Sequence, residues 1–298
     1  MDIVEVKRSI LSSEEEADAA TTASATWPPA VSIVWRGSGS APASTRLLLV
    51  GARGAGALFC RASMRSAKIV GGVTLNAAAD ATPPSWPATL GDAAPNARGW
   101  ACVLAEPTRG VLVLVVCGST GGHGEGHALW CAIAAAIGAA ERIVVFDAQH
   151  VGTFANASAA PLHCVATDAL RSAAEAAAAA KGRAWRSTQP ICPLIRCPNA
   201  LVGWAATIVT HAQATGVAAA AFVALQSQPT GRLASGDAPT IAAFAPALAQ
   251  AALAMGGEED EAAAPPAWCA VDEDGVRAGF FAVVDSVAPT ASCSHLYS

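Results

Sequence analysis

The sequence predicts an α/β protein, a single-domain sandwich in which a mostly parallel or mixed sheet is flanked by helices. Two observations support this prediction. Short runs of Val, Leu and Ile alternate along the chain with longer Ala-rich segments of helical length that stop at Gly or Pro. The apolar runs are also continuous, which is typical of strands that are covered on both faces.

The predicted strands are short apolar runs bounded by turn residues. They comprise residues 31–36, 46–51, 100–106, 110–118, 142–148 and 217–227. The run at 217–227 is rich in alanine, and it is assigned as a strand because it follows a helix and is bounded by Gly and Pro. One further strand is expected at residues 275–286, after an acidic loop.

The predicted helices are the longer Ala-rich segments. They comprise residues 55–66, 126–140, 166–182, 198–216 and 238–257. Gly182 and Gly216 end two of these helices, and Pro198 stands at a first-turn position that suits proline. Pro246 either kinks the last helix or marks a later start. Residues 81–99 are expected to form a Pro-rich loop.

Four regions of the chain differ in composition. Residues 1–29 are acidic and then rich in Ser, Thr and Ala, which predicts a disordered N-terminal segment. Residues 30–257 contain the α/β domain. Residues 258–284 form an acidic loop or insertion with the possible extra strand, and residues 285–298 form a flexible tail of small polar residues with one proline.

Charge and composition argue against several classes of function. The chain of 298 residues has a net charge of −5 and no run of Lys and Arg, so a nucleic-acid ligand is not expected. The longest apolar stretch, Ile241–Met255, contains a proline and is too short to span a bilayer. No membrane association is therefore predicted.

The cysteines and the N-terminal sequence indicate the compartment. Nine cysteines occur at irregular spacings, and Cys102, Cys117 and Cys131 lie within apolar runs that predict buried free thiols. The first residues lack a basic stretch followed by an apolar one, so no secretory leader is expected. The expected location is the cytoplasm, with the nucleus as a second compartment.

The Gly-rich stretch 118–126 is the strongest indication of an enzyme. It follows a predicted strand and opens a predicted helix, which is the arrangement that holds phosphates on free backbone N–H groups. The dinucleotide pattern would require glycine where His127 stands, and no lysine follows at the P-loop position. A flexible turn is the favoured interpretation, and a nucleotide-binding protein or α/β enzyme is the alternative.

Other candidate sites are incomplete. His123 and His127 are four residues apart with Cys117 nearby, but further ligands at matching spacing are absent. Cys192 and Cys197 have C-x4-C spacing with no second pair, so they do not indicate a zinc knuckle. Asp147 ends a strand, where a catalytic carboxylate or a simple cap could lie. The glycines of residues 50–56 are out of order for a phosphate loop and favour close helix–strand packing. No catalytic residue, metal or cofactor is assigned.

The last residues of the sequence are the favoured binding element. Tyr297 is the only tyrosine, and it stands between Leu296 and Ser298 at the tip of the predicted tail. Burial of Leu296 would contribute roughly 1.5–3 kcal/mol, and the tyrosine adds a large rigid ring whose hydroxyl needs one partner. The carboxylate of Ser298 would form a charge-assisted bond with a lysine or a backbone nest. These three residues are predicted to bind a partner protein.

Three stretches of the chain resemble the proteasome assembly chaperones. Residues 193–225 have the family's Pro-Leu, then Pro-Asn, then helix and strand, and a helix around 240–248 follows. Residues 142–154 are similar to the family's strand that ends in a His-Val turn. Leu296-Tyr297-Ser298 resembles the hydrophobic-tyrosine-any (HbYX) motif of these chaperones. The resemblance covers roughly residues 30–255 and the tail.

The resemblance implies a chaperone without enzymatic activity. A chain of this kind would pair as a heterodimer with proteasome assembly chaperone 2, lie on the outer face of the α ring of the 20S proteasome and insert its tail into a pocket between α subunits. It would promote assembly of the ring. Residues 257–281 depart from the family pattern, because a shorter run into the tail would be expected there.

Overall fold

The computed structural model of the chain has one mixed sheet with helices on both faces. It describes residues 31–37, 44–52, 54–75, 85–92, 100–117, 125–154, 162–180, 192–195, 199–226 and 238–253. The predicted regions 1–29, 258–284 and 285–298, and with them the strand expected at 275–286, lie outside these residues.

Eight strands of the described residues form the sheet. They are β1 (Val31–Trp35), β2 (Thr45–Gly51), β3 (Lys68–Leu75), β4 (Cys102–Thr108), β5 (Val111–Val116), β6 (Ala140–His150), β7 (Leu162–Ala166) and β8 (Ala218–Gln226). Their spatial order is β1-β3-β4-β5-β2-β6-β8-β7. A short 3₁₀ turn, Val151–Thr153, follows β6.

The centre of the sheet is parallel and its two flanks are antiparallel. Strand β2 pairs in parallel with β5 and β6, and β6 pairs in parallel with β8. Strands β1, β3, β4 and β5 pair antiparallel in succession, and β7 pairs antiparallel with β8 at the opposite edge. The predicted class, an α/β fold with a mixed sheet flanked by helices, is therefore confirmed.

Helices cover both faces because the central strands are apolar on both sides. The helices are α1 (Ala55–Ser63), α2 (Glu125–Ile137), α3 (Asp168–Ala180), α4 (Gly203–Thr215), α5 (Ala238–Ala242) and α6 (Ala245–Leu253). Helices α1, α5 and α6 pack on one face, which we call the α1 face, and α2 and α4 pack on the other, the α4 face. No helix among the described residues is both long and apolar enough to cross a bilayer.

Alternate residues of the central strands supply the two cores. In β2, Leu47 and Leu49 point to the α1 face, and Leu48 and Val50 point to the α4 face. All four side chains are fully buried. This follows from the two-residue period of a strand, and it explains why β2 has no polar face in the sequence.

Two strands were absent from the prediction. Strand β3 contains Gly71 and Gly72 at its centre, and glycine is unfavourable in an ordinary strand. Here the glycines make room for indole rings, since a Cβ would lie 2.7 Å from an atom of Trp35 at Gly71 and 2.5 Å from an atom of Trp100 at Gly72. Strand β7 was missed because its five residues include a histidine and lie outside any long apolar run.

Two predicted helix boundaries were wrong. Helix α4 begins at Gly203 rather than at residue 198, and Pro198 lies outside the described residues. The last predicted helix is divided into α5 and α6, and Pro246 is the second residue of α6. Of the two alternatives for Pro246, a later start is therefore the right one, because proline needs no N–H partner in a first turn.

Candidate functional site

The carboxyl ends of the parallel strands form the candidate site that the structure describes. Ligands of α/β proteins commonly bind at this edge of the sheet. Strand β2 ends at Gly51 and β5 at Val116, while β6 continues to His150. Helices α1 and α2 begin shortly after β2 and β5, so their N-termini lie at the same edge.

Asp147 is a buried carboxylate at this edge. It is paired in β6 with Val223 of β8, and its side chain is 8% exposed. The carboxylate accepts a hydrogen bond from the backbone N–H of Ala148 at 2.8 Å and another from the N–H of Ala205, in the first turn of α4. Burial raises the pKa of the Asp147 carboxyl to about 7, although the two N–H donors act in the opposite direction.

These bonds give Asp147 the role of a helix cap. The N-cap residue of α4 is Val202, which has no side-chain acceptor for the first N–H groups of the helix. Asp147 supplies that acceptor from the neighbouring strand. Gln149, two residues further along β6, donates from Nε2 to the carbonyl of Val202 at 3.0 Å. Both side chains therefore fix the start of α4 on the sheet.

Sequence reasoning considered Asp147 but missed Gln149. The two residues are separated by one position in a strand, so they share the α4 face with Val145. That two-residue spacing was visible in the sequence and could have identified the pair. Its partner, the start of α4, could not be placed because that helix was predicted to begin earlier.

The glycines of residues 50–56 bring α1 close to the sheet, as predicted. A Cβ at Gly56 would lie 1.9 Å from the backbone oxygen of Phe146 in β6, and a Cβ at Gly51 would lie 2.8 Å from the oxygen of Gly56. Backbone atoms cannot rotate away from such a clash. The segment therefore serves close packing of helix on strand, and the packing accounts for both glycines.

The candidate metal ligands do not come together. His127 is exposed on α2, and its Nε2 lies 3.5 Å from Sγ of Cys131 on the next turn. Cys117 is buried and its thiol donates to the carbonyl of Val115. Burial raises the pKa of Cys117 to about 12. His123 lies outside the described residues, and within those residues no cluster of three or more metal-binding side chains occurs.

The prediction of buried free thiols was right for two of the three named cysteines. Cys102 and Cys117 are buried, whereas Cys131 is only half-buried, on the outer side of α2 next to His127. The apolar run around Cys131 belongs to a helix that is alanine-rich on all sides. Hydrophobicity alone therefore did not distinguish its inner from its outer positions.

The α4 face contains several buried polar atoms without a partner among the described residues. They are Oε1 of Gln149 and the indole Nε1 atoms of Trp130 and Trp204. Trp204 lies against the start of α2, since a Cβ at Gly126 would be 3.9 Å from its ring. Trp130 of α2 and His211 of α4 meet edge to face, with ring centroids 5.9 Å apart. Polar groups thus cluster where α2 and α4 begin and cross.

Arg61 is a second buried ionisable residue, and it was not singled out in the sequence. It lies in α1 and is 1% exposed. Its Nη2 donates to the carbonyl of Gly91 at 3.4 Å, whereas Nε and Nη1 have no partner among the described residues. Burial lowers the pKa of Arg61 to about 10, and the charges of Cys117 and Asp92 act in the opposite direction.

The predicted binding residues lie outside this description. Leu296, Tyr297 and Ser298 belong to residues that the structure does not describe, and of the stretch 118–126 only Glu125 and Gly126, at the start of α2, are included. Among the side chains that are described at the carboxyl edge, the buried carboxylate of Asp147 serves to position a helix.

Comparisons with known proteins found solved structures that align with this chain, and no match in sequence. No protein-family model and no curated protein matches the chain. The Pyrococcus furiosus protein PbaA, described as an archaeal homolog of proteasome-assembly chaperone, aligns over 77% of this chain and 88% of its own with 10% identity and a TM-score of 0.48. PbaB of the same organism, described as an archaeal proteasome activator, aligns over 77% and 91% with 12% identity and a TM-score of 0.47.

A third solved structure is a PAC2 family protein from Streptomyces avermitilis. It aligns over 82% of this chain and 97% of its own, with 15% identity and a TM-score of 0.39. The three alignments compare backbones only. The activities named in these descriptions belong to the three aligned proteins.

Proposed function

We propose that the chain is a proteasome assembly chaperone without enzymatic activity, similar to proteasome assembly chaperone 1. In this proposal it pairs as a heterodimer with proteasome assembly chaperone 2 and promotes formation of the α ring of the 20S proteasome in the cytoplasm and nucleus. The observation that carries the proposal is the sequence Leu296-Tyr297-Ser298, which contains the only tyrosine of the chain.

The secondary structure of the body supports the proposal. In the resembling segment 142–154, β6 ends at His150 and the turn Val151–Thr153 follows it. In the resembling segment 193–225 and the helix after it, α4 is followed directly by β8 and then by α5 and α6. Strands β6 and β8 are neighbours in the sheet, so the two segments that carry the resemblance form one contiguous part of the fold.

The tail would bind through three different interactions. Leu296 fills an apolar slot between two α subunits, the ring of Tyr297 packs beside it and its hydroxyl finds one acceptor, and the carboxylate of Ser298 pairs with a lysine. Docking of the folded body raises the local concentration of the tail to about millimolar. A weak tripeptide is then sufficient, and the tail of the second chaperone would add to the avidity.

The test is capture of α subunits by the full chain co-expressed with its proposed partner. Deletion of residues 296–298 or the substitution Tyr297→Ala should weaken α-ring binding roughly 10-fold to 100-fold, because a buried side chain contributes roughly 1.5–3 kcal/mol. Ser292→Ala, in the same predicted tail, is the matched control and should bind normally. Unchanged capture after deletion of the last three residues would contradict the tail as the binding element.

A second measurement separates the tail from the body. Thermal melting and heterodimer formation should be the same for the full chain and for the deletion variant, since the fold does not depend on the tail in this proposal. If the deletion also lowers the melting temperature by several degrees, the residues 296–298 are part of the folded body, and the proposed mode of binding fails.

A nucleotide-binding function of residues 118–126 is the alternative. The order of β5, a Gly-rich stretch and α2 favours it. Against it, His127 stands where the dinucleotide pattern requires glycine, and no lysine follows at the P-loop position. A thermal-shift titration with ATP, GTP and NAD distinguishes the two functions. A saturable shift would favour the nucleotide, and α-ring capture without any shift would favour the chaperone.

A further inference from the structure

A pair of buried thiols at one edge of the sheet remains outside the proposed function. Cys164 lies in the edge strand β7, and Cys192 lies in the short described segment 192–195. The Cys164 thiol is 3.5 Å from the carbonyl oxygen of Cys192, and the two thiol groups are hydrogen-bonded to each other. The residues are 3% and 7% exposed.

The backbone holds the two residues together. The N–H of Cys164 donates to the carbonyl of Pro193 at 3.0 Å, and the N–H of Ile195 donates to the carbonyl of Cys164 at 2.9 Å. These bonds form an isolated parallel bridge between Cys164 and Leu194 on the side of β7 that faces away from β8. Both thiols belong to the core on the α1 face.

We propose that Cys164 and Cys192 form a reversible disulfide that fastens the segment 192–195 to β7. Among the described residues, the backbone bonds that hold this segment on β7 are the two of its bridge, and Leu194 beside them is 44% exposed. Local loss of these bonds exposes the thiols to a small oxidant such as hydrogen peroxide. The disulfide then prevents the segment from detaching.

The chemistry balances with hydrogen peroxide as the oxidant. The Cys164 thiolate attacks one peroxide oxygen, so an S–O bond forms, the O–O bond breaks and hydroxide leaves with a proton as water. The Cys192 sulfur then attacks the Cys164 sulfur, an S–S bond forms, and the S–O bond breaks to release a second water. Two thiols and one peroxide yield one disulfide and two waters, and a dithiol reductant reverses the reaction.

The hydrogen bond between the thiols agrees with this order of events. It lowers the pKa of Cys164 and raises that of Cys192. The thiolate is the reactive form of cysteine, so Cys164 is the attacking sulfur and Cys192 the resolving one. By contrast, burial raises the pKa of Cys60, Cys102 and Cys117.

The test is peptide mapping of the full chain after treatment with hydrogen peroxide. Free thiols are alkylated under denaturing conditions, and disulfide-linked peptides are identified by mass. A linked pair containing Cys164 and Cys192, lost on addition of dithiothreitol, is the expected result. The variant Cys131→Ser, which lacks a half-buried thiol on α2, should give the same pair.

Two results would overturn the proposal. In one, Cys131 is oxidised while Cys164 and Cys192 remain available for alkylation. In the other, Cys192 is linked to Cys197, which stands five positions further along the chain. The variant Cys197→Ser separates these cases, because it retains the linked pair only if Cys164 is the true partner. The mapping is done on the unsubstituted chain first, so the identity of the linked pair does not depend on whether a variant folds.

A second readout tests whether the disulfide fastens the segment. Amide hydrogen exchange at Ile195 should slow after oxidation, since its N–H donates to Cys164 across the bridge. The melting temperature should rise by roughly 5–10 °C, because the bond closes a loop that spans α3. An oxidised chain with unchanged exchange at Ile195 would show that the bond has no fastening role. Neither readout depends on α-ring binding, so failure here is distinct from failure of the proposed function.

Discussion

The two faces of the sheet are stabilised by different kinds of side chain. At the centre of the α1 face, the rings of Phe59, Phe146 and Phe244 contact one another, with centroids between 4.7 and 5.5 Å apart. The α4 face is packed with the indoles Trp130 and Trp204, whose N–H groups have no described partner. Asp147 and Gln149 are also buried on that side, against the start of α4.

This difference separates two sources of stability. Contacts between apolar rings depend on close approach and not on pH. Buried polar groups cost free energy unless each is satisfied, and an ionisable one makes stability depend on pH. The α1 face should therefore be sensitive to added volume. Its buried Arg61 has a pKa lowered only to about 10, so between pH 4 and pH 8 the α4 face should be the one sensitive to protonation. Matched glycines in α1 and α2, and Asp147 on the α4 face, allow this comparison to be tested.

The largest effect is expected for Gly56→Ala on the α1 face. The new Cβ would lie 1.9 Å from the backbone oxygen of Phe146, so α1 has to move away from β6. This movement opens the contact between Phe59 and Phe146, which lie at 4.7 Å. We expect a loss of more than about 4 kcal/mol in the free energy of unfolding, because the clash is with backbone and no rotamer relieves it.

Chemical denaturation monitored by circular dichroism measures this loss. Ala57→Gly is a suitable companion variant, because it changes the neighbouring helical residue without adding volume and should cost only about 1 kcal/mol. A Gly56→Ala protein within 1 kcal/mol of the unsubstituted chain would mean that α1 does not pack this closely on β6, and the contrast between the two faces would be lost.

The sequence was sufficient to predict the fold class but not the site at the carboxyl edge. The apolar runs at 46–51, 110–118 and 142–148 were long enough to predict central strands, because burial on both faces leaves no polar position. Strand β3 was not predictable, since Gly71 and Gly72 favour a strand only in the presence of Trp35 and Trp100. Those rings come from distant parts of the sequence and meet only in the folded sheet.

The role of Asp147 could not be derived from the sequence for a similar reason. An aspartate after an apolar strand is compatible with catalysis, metal binding or capping. What decides among them is the first turn of α4, whose N-cap Val202 has no side-chain acceptor. The prediction began that helix at Pro198, so the unsatisfied N–H groups were assigned to the wrong residues. The Cys164–Cys192 contact was likewise invisible, because β7 itself was missed.

The second prediction concerns the pH dependence that Asp147 gives to the α4 face. Its pKa is raised to about 7 in the folded state, from an ordinary value of 3.8. The folded protein therefore binds a proton that the unfolded chain releases between these values. The contribution of Asp147 to stability is complete below pH 3.8. Between pH 3.8 and pH 7 it falls by up to about 1.4 kcal/mol per pH unit, and it is lost once the pH has risen through 7.

Asp147→Asn removes this dependence and retains an oxygen that can accept from Ala205. Relative to the unsubstituted chain, the variant should gain roughly 2.5 kcal/mol in free energy of unfolding as the pH rises from 5 to 8. Urea denaturation of both proteins at four pH values provides the measurement. If the free energies of unfolding of the two proteins change in parallel with pH across this range, the carboxylate stays ionised in the folded protein. The α4 face would then stabilise the charge as well as water does.

The smallest effect is expected for Gly126→Ala on the α4 face, and it has the opposite sign to Gly56→Ala. Gly126 is the second residue of α2, and a Cβ there would lie 3.9 Å from the ring of Trp204, an ordinary contact distance. Alanine also restricts the unfolded chain and favours the helix, so the free energy of unfolding should rise by about 0.5 kcal/mol. Thermal unfolding of the two glycine variants side by side checks this difference in sign.

A loss of more than about 1 kcal/mol for Gly126→Ala would contradict this expectation. Because Gly126 is the last residue of the Gly-rich stretch 118–126, such a loss would indicate that this stretch needs a backbone conformation or a close approach that only glycine allows. That result would favour the nucleotide-binding alternative.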